Sequence, residues 1–451
     1  MFQQFARLAA AAPGAPALID GETGSITTRS ALLRRAEELA DQLRKAGLRE
    51  RDLVAIQLPN SVDFVAAVLA VAKEKLIAVP IDRDAPEIEV GAILSHFAVR
   101  ALIYRSGGTQ ISTRSVRERA EVPHGARLIK LTSGSTGKPK GIVASEENLF
   151  ADCRNICLTM EIAPYDINFG AIPLSHSYGF SNLVTPLITQ GTALVISNDY
   201  LPQSIIERCN RHRCTVLPAI PMVFDHLAGT DRSAGSFTTV RTFISAGAPL
   251  APSTSRRFRE RFGHSIHSFY GCSECGGITY DRQGAAVERG TVGGPMLGVK
   301  LSKRGPRLVI EGDSVALGYL SEASDFRAHD AGRFVADDLV EIRDNGEVAL
   351  IGRASDLINT AGKKVNPREV EQVILQMEGV RQAKVYGEPA GARGEVVAAA
   401  IVANPDVTRE QVRQFCRTRL STHKVPRIVK LIDAIPVDER GKVKRAALAE
   451  L

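Results

Sequence analysis

The chain has 451 residues, of which 44% are hydrophobic and 24% charged, and its formal net charge is +7. This length is too great for one compact core and predicts two or three domains. The modest positive charge suits anionic small ligands such as nucleotides, and without a dense Lys/Arg block the sequence argues against nucleic acid as a partner.

No segment predicts a membrane span or a secretion signal. The longest apolar run, residues 64–72, is far shorter than the roughly 20 residues that a membrane helix needs, and residues 1–7 lack a charged head followed by an apolar core. The seven cysteines are an odd number, which fits reduced thiols in a cytoplasmic protein better than a disulfide framework. Cys272 and Cys275 form a C-x-x-C pair without a second pair at zinc-finger spacing, which favours two thiols in a turn over a redox or metal role.

Short apolar strands alternate with amphipathic helices along most of the chain, which predicts a mainly parallel α/β sheet. Leucine and alanine recur at helical spacing from Leu32 to Leu43, and Gly47 ends this first predicted helix. A strand at 53–58 follows. The other strands predicted in this part are 101–104, 127–131, 193–196, 215–217 and 242–245. The other helices predicted there are 146–159, 203–213 and 252–262.

The pattern changes near Gly352. Before it, three short antiparallel strands are predicted, with turns at Gly312 and Asn345-Gly346. They are residues 308–311, 339–343 and 348–351. After it come a predicted helix (367–377), two strands (383–386 and 396–402), a helix (409–419) and a strand (427–431).

We therefore predict an α/β protein of two domains. The large multi-subdomain N-terminal domain, residues 1–354, has mainly parallel sheets plus a small antiparallel β-rich part. The small mobile α+β C-terminal domain covers residues 355–451, and a hinge is predicted near 353–356.

Residues 132–141, Thr-Ser-Gly-Ser-Thr-Gly-Lys-Pro-Lys-Gly, stand between the predicted strand 127–131 and the predicted helix 146–159. Glycines let backbone N–H groups turn inward, and the hydroxyls and lysines add donors and positive charge, so the segment predicts a polyphosphate cradle. A flexible Gly/Ser linker is the alternative. The segment is not a Walker A loop, because Thr132 and Pro139 stand where that motif needs Gly and Ser or Thr.

This segment resembles the phosphate loop of the adenylate-forming superfamily, which holds acyl-CoA synthetases, peptide-synthetase adenylation domains and luciferases. Further motifs similar to those of the family follow in its order as far as Arg445. The resemblance implies that the loop binds ATP and that Thr136 is also a ligand of Mg²⁺. The implied loop residues are Thr132, Ser133, Gly134, Ser135, Thr136, Gly137, Lys138 and Lys140.

His176 lies in the segment Pro-Leu-Ser-His-Ser-Tyr-Gly at 173–179. By itself, one histidine near the end of an apolar strand is more often a structural residue. In the family the matching residue lies beside the reacting carboxylate, and this motif looks like that of the acyl- and aryl-CoA ligase branch rather than the Phe-Asp pattern of amino-acid-activating domains. The resemblance implies that His176 is catalytic and that Ser177, Tyr178 and Ala246 belong to the acid pocket.

Two later motifs resemble the family's nucleotide-binding segments. Ser-Ala-Gly-Ala-Pro-Leu at 245–250 is by itself a strand–helix turn, but in the family this turn contacts adenine, which implies that role for Gly247 and Ala248. Tyr-Gly-Cys-Ser-Glu at 270–274 is similar to the family's Tyr-Gly-x-Thr-Glu. Its implied nucleotide-site residues are Tyr270, which stacks on adenine, Gly271, and Ser273, which binds the α-phosphate.

Glu274 is then implied to be a catalytic residue that holds Mg²⁺, a cation that prefers oxygen ligands. Away from this motif, a single glutamate in a turn would be interpreted as a solvated acid.

The segment Gly-Arg-Phe-Val-Ala-Asp-Asp-Leu at 332–339 aligns with the family's Gly-Trp-Phe-x-Thr-Gly-Asp-Leu, which implies that Asp338 accepts hydrogen bonds from the ribose hydroxyls. Ala336-Asp337 replaces Thr-Gly there. Gly-Arg-Ala-Ser-Asp at 352–356 implies that Arg353 reaches the ribose or phosphate. Ser355 stands at the family's hinge position, which is usually Asp or Lys.

Two C-terminal motifs complete the resemblance. Gly362 lies in a loop, residues 360–365, that in the family faces the active site after the small domain has rotated; a basic hairpin tip is the alternative. Lys442 follows Gly441 in a segment similar to the family's Pro-…-Gly-Lys-x-x-Arg and is implied to be the adenylation lysine, although by residue type alone it would be a solvated charge.

The resemblance implies an AMP-forming acyl-CoA synthetase that uses ATP, Mg²⁺ and CoA to activate a fatty or aromatic carboxylic acid. Two alternatives remain open at this point: an enzyme that loads an acyl-carrier protein, and a nucleotide-binding protein that has lost catalysis. The identity of the acid and the oligomeric state do not follow from the sequence.

Overall fold

The computed structural model describes residues 1–116, 118–133, 139–360, 363–389 and 395–436. It is a mixed α/β structure, which confirms the predicted fold class. The α-helices are α1 (Phe2–Ala11), α2 (Arg29–Lys45), α3 (Val62–Lys73), α4 (Glu87–His96), α5 (Glu146–Thr159), α6 (Ser177–Gly179), α7 (Thr185–Gln190), α8 (Pro202–Arg211), α9 (Pro221–Ala228), α10 (Pro252–Phe262), α11 (Pro367–Ile374) and α12 (Arg409–Arg417).

The strands of the first half of the chain are β1 (Pro16–Asp20), β2 (Ile26–Thr28), β3 (Leu53–Gln57), β4 (Ile77–Pro80), β5 (Ala101–Arg105), β6 (Thr109–Thr113), β7 (Ala126–Ser133), β8 (Pro139–Ser145), β9 (Ile167–Gly170), β10 (Ala193–Ile196) and β11 (Val216–Ala219). Those of the second half are β12 (Thr242–Ser245), β13 (Ile266–Cys272), β14 (Gly276–Tyr280), β15 (Gly294–Pro295), β16 (Lys300–Arg304), β17 (Arg307–Glu311), β18 (Gly318–Glu322), β19 (Asp325–Ala328), β20 (Arg333–Ile342), β21 (Val348–Arg353), β22 (Ile358–Thr360), β23 (Lys363–Val365), β24 (Val380–Pro389), β25 (Glu395–Ala403) and β26 (Ile428–Leu431).

The chain divides into two compact units, of which the first comprises Met1–Leu301 and Ile310–Phe334. It holds two large sheets. One has nine strands in the order β15-β14-β13-β12-β11-β9-β10-β1-β2, and the other has eight in the order β19-β18-β8-β7-β4-β3-β5-β6. The central strands of both sheets are parallel. They are short apolar runs because helices cover both faces of such sheets.

Of the apolar cores formed by described residues, the largest is shared by the two sheets. It takes Leu18 and Leu194 from the nine-stranded sheet and Val54 and Ala78 from the eight-stranded sheet. The helices of this core include α3, in which every residue from Phe64 to Val71 is buried. The apolar run of residues 64–72 is therefore a buried helix. Among the helices of the described residues, none has the length and apolar character that crossing a bilayer requires.

Several elements have other bounds than predicted; for example, α11 ends at Ile374 rather than at residue 377, and β20 begins at Arg333 rather than at residue 339. Two further differences have a local cause. The segment after the loop at 132–141 is not only a helix: strand β8 comes first and pairs antiparallel with β7, and α5 then begins at Glu146, where Ser145 and Asn148 form a capping box. Helix α8 ends at Arg211 rather than Arg213, because Arg213 has φ = 53° and so lies in the left-handed region, which no right-handed helix can include.

The second unit comprises Ser302–Val309 and Val335–Leu451. Strands β16, β17, β20 and β21 form the four-stranded sheet of the predicted antiparallel part. Strands β24, β25 and β26 form a three-stranded sheet whose apolar core includes side chains of α11 and α12. The three-stranded sheet with α11 and α12 agrees with the α+β character predicted for residues 355–451, whereas the antiparallel strands were predicted as part of residues 1–354. The domain boundary and the hinge at 353–356 stay predictions.

Candidate active site

Three of the predicted site segments lie at one edge of the nine-stranded sheet. His176 follows β9, Gly247 and Ala248 follow β12, and the segment 270–274 includes the end of β13. Because β9, β11, β12 and β13 are parallel, their carboxyl ends lie at the same edge. Ligands of open α/β sheets bind at this edge.

The loop that carries His176 is held by residues from the other sheet. Asn60, after β3, donates its side-chain N–H to the carbonyl oxygen of Ile172 at 2.9 Å and accepts the N–H of Leu174 at 2.8 Å. Asp82 follows β4, and its Oδ2 accepts the Nε2–H of His176 at 3.1 Å. The carboxyl ends of both sheets therefore contribute to the position of His176.

Asp82 has a second fixed contact, because its Oδ1 accepts the backbone N–H of Asp84 at 3.1 Å. The His176 and Asp82 side chains are 23% and 20% exposed, so the pair can be reached from solvent. Sequence reasoning missed Asp82. The signal that could have found it is an acidic residue directly after a buried strand, at the edge where ligands bind.

The turn after β12 follows the strand that Tyr178, a predicted acid-pocket residue, contacts. Gly247 has φ = 87°, a conformation that L-residues with a side chain rarely adopt, and a Cβ there would stand 3.4 Å from Ile220. Tyr178 donates its hydroxyl to the carbonyl oxygen of Ile244 at 3.0 Å, and its ring packs 5.8 Å from that of Phe269. Burial raises the pKa of Tyr178, so the phenol stays protonated and remains a hydrogen-bond donor.

The β13–β14 hairpin positions the predicted α-phosphate residue. Gly271 passes so close to its partner strand that a Cβ would lie 2.5 Å from the carbonyl oxygen of Gly276. Ser273 Oγ lies 2.8 Å from Ser177 Oγ, which joins this hairpin to the His176 loop. Cys272 and Cys275 occupy the tight connection of the same hairpin, where the Cys275 N–H donates to the Cys272 carbonyl oxygen at 3.3 Å.

Glu274 is held through both its backbone and its side chain. Its carbonyl oxygen accepts the N–H of Ala316 at 2.8 Å, and its Oε1 accepts the hydroxyl of Tyr319 at 2.7 Å. Burial, followed by the charge of Glu274 and the hydrogen bond to it, raises the pKa of Tyr319 well above its ordinary value, so the phenol remains the donor. Sequence reasoning missed Tyr319, for which no local signal exists.

The Mg²⁺ that the family resemblance implies fits the donor atoms around Glu274. A partly exposed carboxylate is a hard oxygen ligand, and Mg²⁺ is usually held by one or two carboxylates together with substrate phosphates. Tyr319 engages one oxygen of Glu274, which leaves the carboxylate a second oxygen to present. Thr136, the other implied ligand, lies outside the described residues.

The two ends of the phosphate-loop segment lie on the antiparallel strands β7 and β8. Thr132 on β7 stands directly opposite Lys140 on β8. Backbone pairing of Ser133 with Pro139 continues the ladder towards the loop. The remaining predicted loop residues, Gly134, Ser135, Thr136, Gly137 and Lys138, lie outside the described residues.

The second unit brings its two predicted nucleotide-binding residues together. Arg353 Nε lies 3.1 Å from Asp338 Oδ1 across the β20–β21 pair. The neighbouring Asp337 accepts the backbone N–H of Ser355 at 3.0 Å. Gly362 and Lys442 lie outside the described residues.

Comparison with known proteins identifies the family of the chain. The family described as AMP-binding enzyme matches residues 5–320, and the family described as AMP-binding enzyme C-terminal domain matches residues 369–442. The chain belongs to the AMP-binding enzyme family, in the acyl-CoA synthetase branch of the adenylate-forming superfamily, and is an enzyme of the acid–thiol ligase class.

Similar proteins cover almost the whole chain. A feruloyl-CoA synthase of an Amycolatopsis species is 26% identical over 97% of this chain and 96% of its own length. The long-chain-fatty-acid–CoA ligase FadD13 of Mycobacterium tuberculosis is 26% identical over 98% of this chain and 96% of its own length. The crystal structure of ATP-bound MatB from Rhodopseudomonas palustris is 25% identical with a TM-score of 0.82, covering 99% of this chain and 98% of that one.

Proposed function

We propose that the protein is an AMP-forming acyl-CoA synthetase that activates a fatty or aromatic carboxylic acid. In the first half-reaction, a carboxylate oxygen attacks the α-phosphorus of ATP, and the bond from that phosphorus to the bridging oxygen of the β-phosphate breaks. The products are the acyl adenylate and pyrophosphate. In the second, the sulfur of CoA attacks the acyl carbon, AMP leaves with the bonding electrons, and the thiol proton passes to solvent.

The residues of the candidate site supply position rather than covalent chemistry. The phosphate loop from Thr132 to Lys140 binds the triphosphate, and Ser273 donates to the α-phosphate. The turn at Gly247 and Ala248 and the ring of Tyr270 form the adenine site. Such positioning and charge neutralisation account for most of the catalysis of phosphoryl-group chemistry.

Other residues act on the acid, the ribose and the metal. His176, fixed by Asp82, lies beside the acid, and Tyr178 forms a wall of its pocket. Glu274 and Thr136 would hold Mg²⁺, which when bound neutralises charge on the phosphates. The ribose hydroxyls bind Asp338 with Arg353 beside it, while Lys442 serves adenylation and the Gly362 loop serves the thioester step.

One observation carries the proposal: the His176 loop, the adenine turn and the Ser273–Glu274 hairpin emerge from parallel strands at one edge of one sheet. The Ser177 and Ser273 hydroxyls are hydrogen-bonded at 2.8 Å, and the Tyr178 hydroxyl donates to the carbonyl oxygen of Ile244 on β12 at 3.0 Å. An acid and the α-phosphate of a nucleotide can therefore be held side by side. The full-length similarity to a feruloyl-CoA synthase and a long-chain-fatty-acid–CoA ligase supports the choice of aromatic and fatty acids.

The test is a mass-spectrometric assay of the purified protein with ATP, Mg²⁺, CoA and a panel of acids, from short and long fatty acids to benzoates and cinnamates. We expect acyl-CoA and AMP from at least one acid. Glu274→Gln is expected to reduce pyrophosphate release strongly, whereas Glu288→Gln, which changes a glutamate paired with Arg259 at 3.2 Å, is expected to leave it unchanged.

The other outcomes identify the alternatives. Acyl-AMP without acyl-CoA would contradict CoA as the acceptor and indicate another thiol, such as that of an acyl-carrier protein. Nucleotide binding without pyrophosphate release from any acid of the panel would contradict the ligase and indicate a protein that has lost catalysis.

A further inference from the structure

Glu274 and Tyr319 belong to different elements of the first unit. Glu274 lies in the β13–β14 connection, and Tyr319 lies on β18 of the other large sheet. The phenol donates to Glu274 Oε1 at 2.7 Å. Because an ionised carboxylate can only accept, the proton of this bond belongs to Tyr319, and hydrogen bonds to charged acceptors are the stronger ones.

Tyr319 itself is firmly placed. Its backbone pairs with Ile142 of β8 on one side and with Arg327 of β19 on the other. Its ring meets that of His329 edge-on, with centroids 4.8 Å apart. His329 is fixed in turn, because its Nδ1 lies 3.1 Å from the carbonyl oxygen of Ala316, the residue whose N–H binds the Glu274 backbone.

The strand next to Tyr319 is the one that returns from the phosphate loop. Gly141, which ends the predicted loop segment, pairs with Leu320, the residue after Tyr319. The Tyr319–Glu274 hydrogen bond therefore connects the β13–β14 hairpin to β18, the strand that pairs with β8 at Gly141.

We propose that Tyr319 is a positioning residue for Glu274: it occupies Oε1 and thereby directs the other carboxylate oxygen towards the Mg²⁺ that accompanies ATP. This inference rests on the proposed function. Mg²⁺ requires near-ideal octahedral geometry, so the orientation of its carboxylate ligand matters. Residues that orient a ligand in this way typically change metal affinity about 10- to 100-fold when they are replaced.

Tyr319→Phe tests the proposal, because it removes the hydroxyl and keeps the ring that packs on His329. The first readout is the Mg²⁺ concentration at which ATP binding is half-maximal, and calorimetry measures it. The second is the affinity for AMP in the absence of metal. We expect the Mg²⁺ requirement to rise about 10- to 100-fold and AMP affinity to stay within about twofold.

Tyr280→Phe is the matched control, since Tyr280 is a buried tyrosine of β14 whose ring stacks on His267. It is expected to change neither readout. Tyr319→Phe in a Glu274→Gln background is expected to have no further effect on the Mg²⁺ requirement, because the carboxylate that it orients is gone.

Three results would overturn the inference. An unchanged Mg²⁺ requirement in Tyr319→Phe would show that the hydroxyl does not orient the ligand. An equal loss of AMP affinity would indicate a structural role instead. If the wild-type protein bound ATP without any dependence on Mg²⁺, the inference would fail, whereas the proposed function fails only if no acid gives pyrophosphate release, so the two failures are distinguishable.

Discussion

Asp337 Oδ2 accepts the backbone N–H of Ser355 at 3.0 Å, and these are two positions at which the chain departs from the family pattern. The pattern has glycine in place of Asp337 and usually Asp or Lys in place of Ser355. Arg307 Nη2 lies 3.3 Å from the other carboxylate oxygen. A glycine could make neither contact, so the Asp337 carboxylate anchors the short turn Ala354–Asp356 in a way that the usual pattern does not provide.

The Asp337 contacts predict a pH-dependent contribution to stability. Burial by itself would raise the pKa of Asp337, but hydrogen bonds from Ser355 and the charges of Arg307 and Arg353 outweigh it, so the pKa lies below the ordinary 3.8. A carboxylate with a lowered folded pKa stabilises the fold above its unfolded pKa, and this stabilisation is lost as pH falls through the folded pKa.

We expect Asp337→Asn to lower the unfolding free energy at neutral pH by no more than about 1 kcal/mol, because the site is partly exposed and screened. The gap between wild type and variant should shrink below roughly pH 4. Urea unfolding at neutral and acidic pH measures it, with Asp344→Asn in an exposed turn as control. A gap of equal size at both pH values would contradict the electrostatic explanation.

We predict that weakening the Asp82–His176 hydrogen bond impairs turnover of the carboxylic acid without impairing ATP binding. Asp82→Asn keeps an acceptor for the Asp84 N–H but removes the charge that holds the imidazole. A hydrogen bond to a charged group is worth about 1.5–3 kcal/mol, so kcat/KM for the acid should fall roughly 10- to 100-fold while ATP affinity stays within about twofold. Steady-state kinetics, with the concentration of the carboxylic acid varied in one series and that of ATP in the other, separate the two effects.

Asp84→Asn is the control for that experiment, because Asp84 pairs at the surface with Arg83 at 2.9 Å. It should change neither parameter. If Asp82→Asn weakened ATP binding as much as it reduced turnover of the acid, Asp82 would be supporting the loop as a whole rather than His176.

Replacements of Ser273 and of its partner Ser177 are predicted to slow pyrophosphate release by different amounts. Ser273→Thr should keep near-wild-type adenylation, because the hydroxyl is what the family pattern requires at this position. Ser273→Ala should slow pyrophosphate release about 10-fold or more, by the loss of a donor to developing charge. Ser177→Ala removes the hydrogen-bond partner of Ser273 at 2.8 Å but keeps the Ser273 hydroxyl, and should cost less than Ser273→Ala. The reverse order would show that the Ser177–Ser273 bond serves the packing of the two loops.

The sequence predicted well the elements whose signals are local. The strands Leu53–Gln57 and Ala193–Ile196 are apolar runs bounded by breaking residues, and Glu146–Thr159 begins at the cap residue Ser145. The type of the apolar run 64–72 could not be decided, because a helix that is buried all round has no periodic face. Strand β8 was missed because Pro139, Lys140 and Gly141 have loop-like composition, and only pairing with β7 makes them a strand.

The site residues divide in the same way. His176, Ser273 and Glu274 belong to contiguous motifs, so the sequence could name them as candidates, and their roles stay predictions. Asp82 lies 94 residues from His176 and Tyr319 lies 45 residues from Glu274. Such pairs are brought together by strand order, which the local pattern of residues does not encode.

Lys442 predicts a separation of the two half-reactions. In the resemblance, this lysine lies near the carboxylate and the α-phosphate for adenylation and is withdrawn when the small domain rotates for thioester formation. We expect Lys442→Ala to slow pyrophosphate release about 100- to 1,000-fold, as for loss of a donor to transition-state charge, and to leave acyl-CoA formation from supplied acyl-AMP within a few-fold of wild type. Lys444→Ala, two residues along the same segment, is the control and should affect neither step. An equal loss of both half-reactions would contradict the two-conformation mechanism, because a lysine that serves only adenylation cannot slow a step that begins from the finished adenylate.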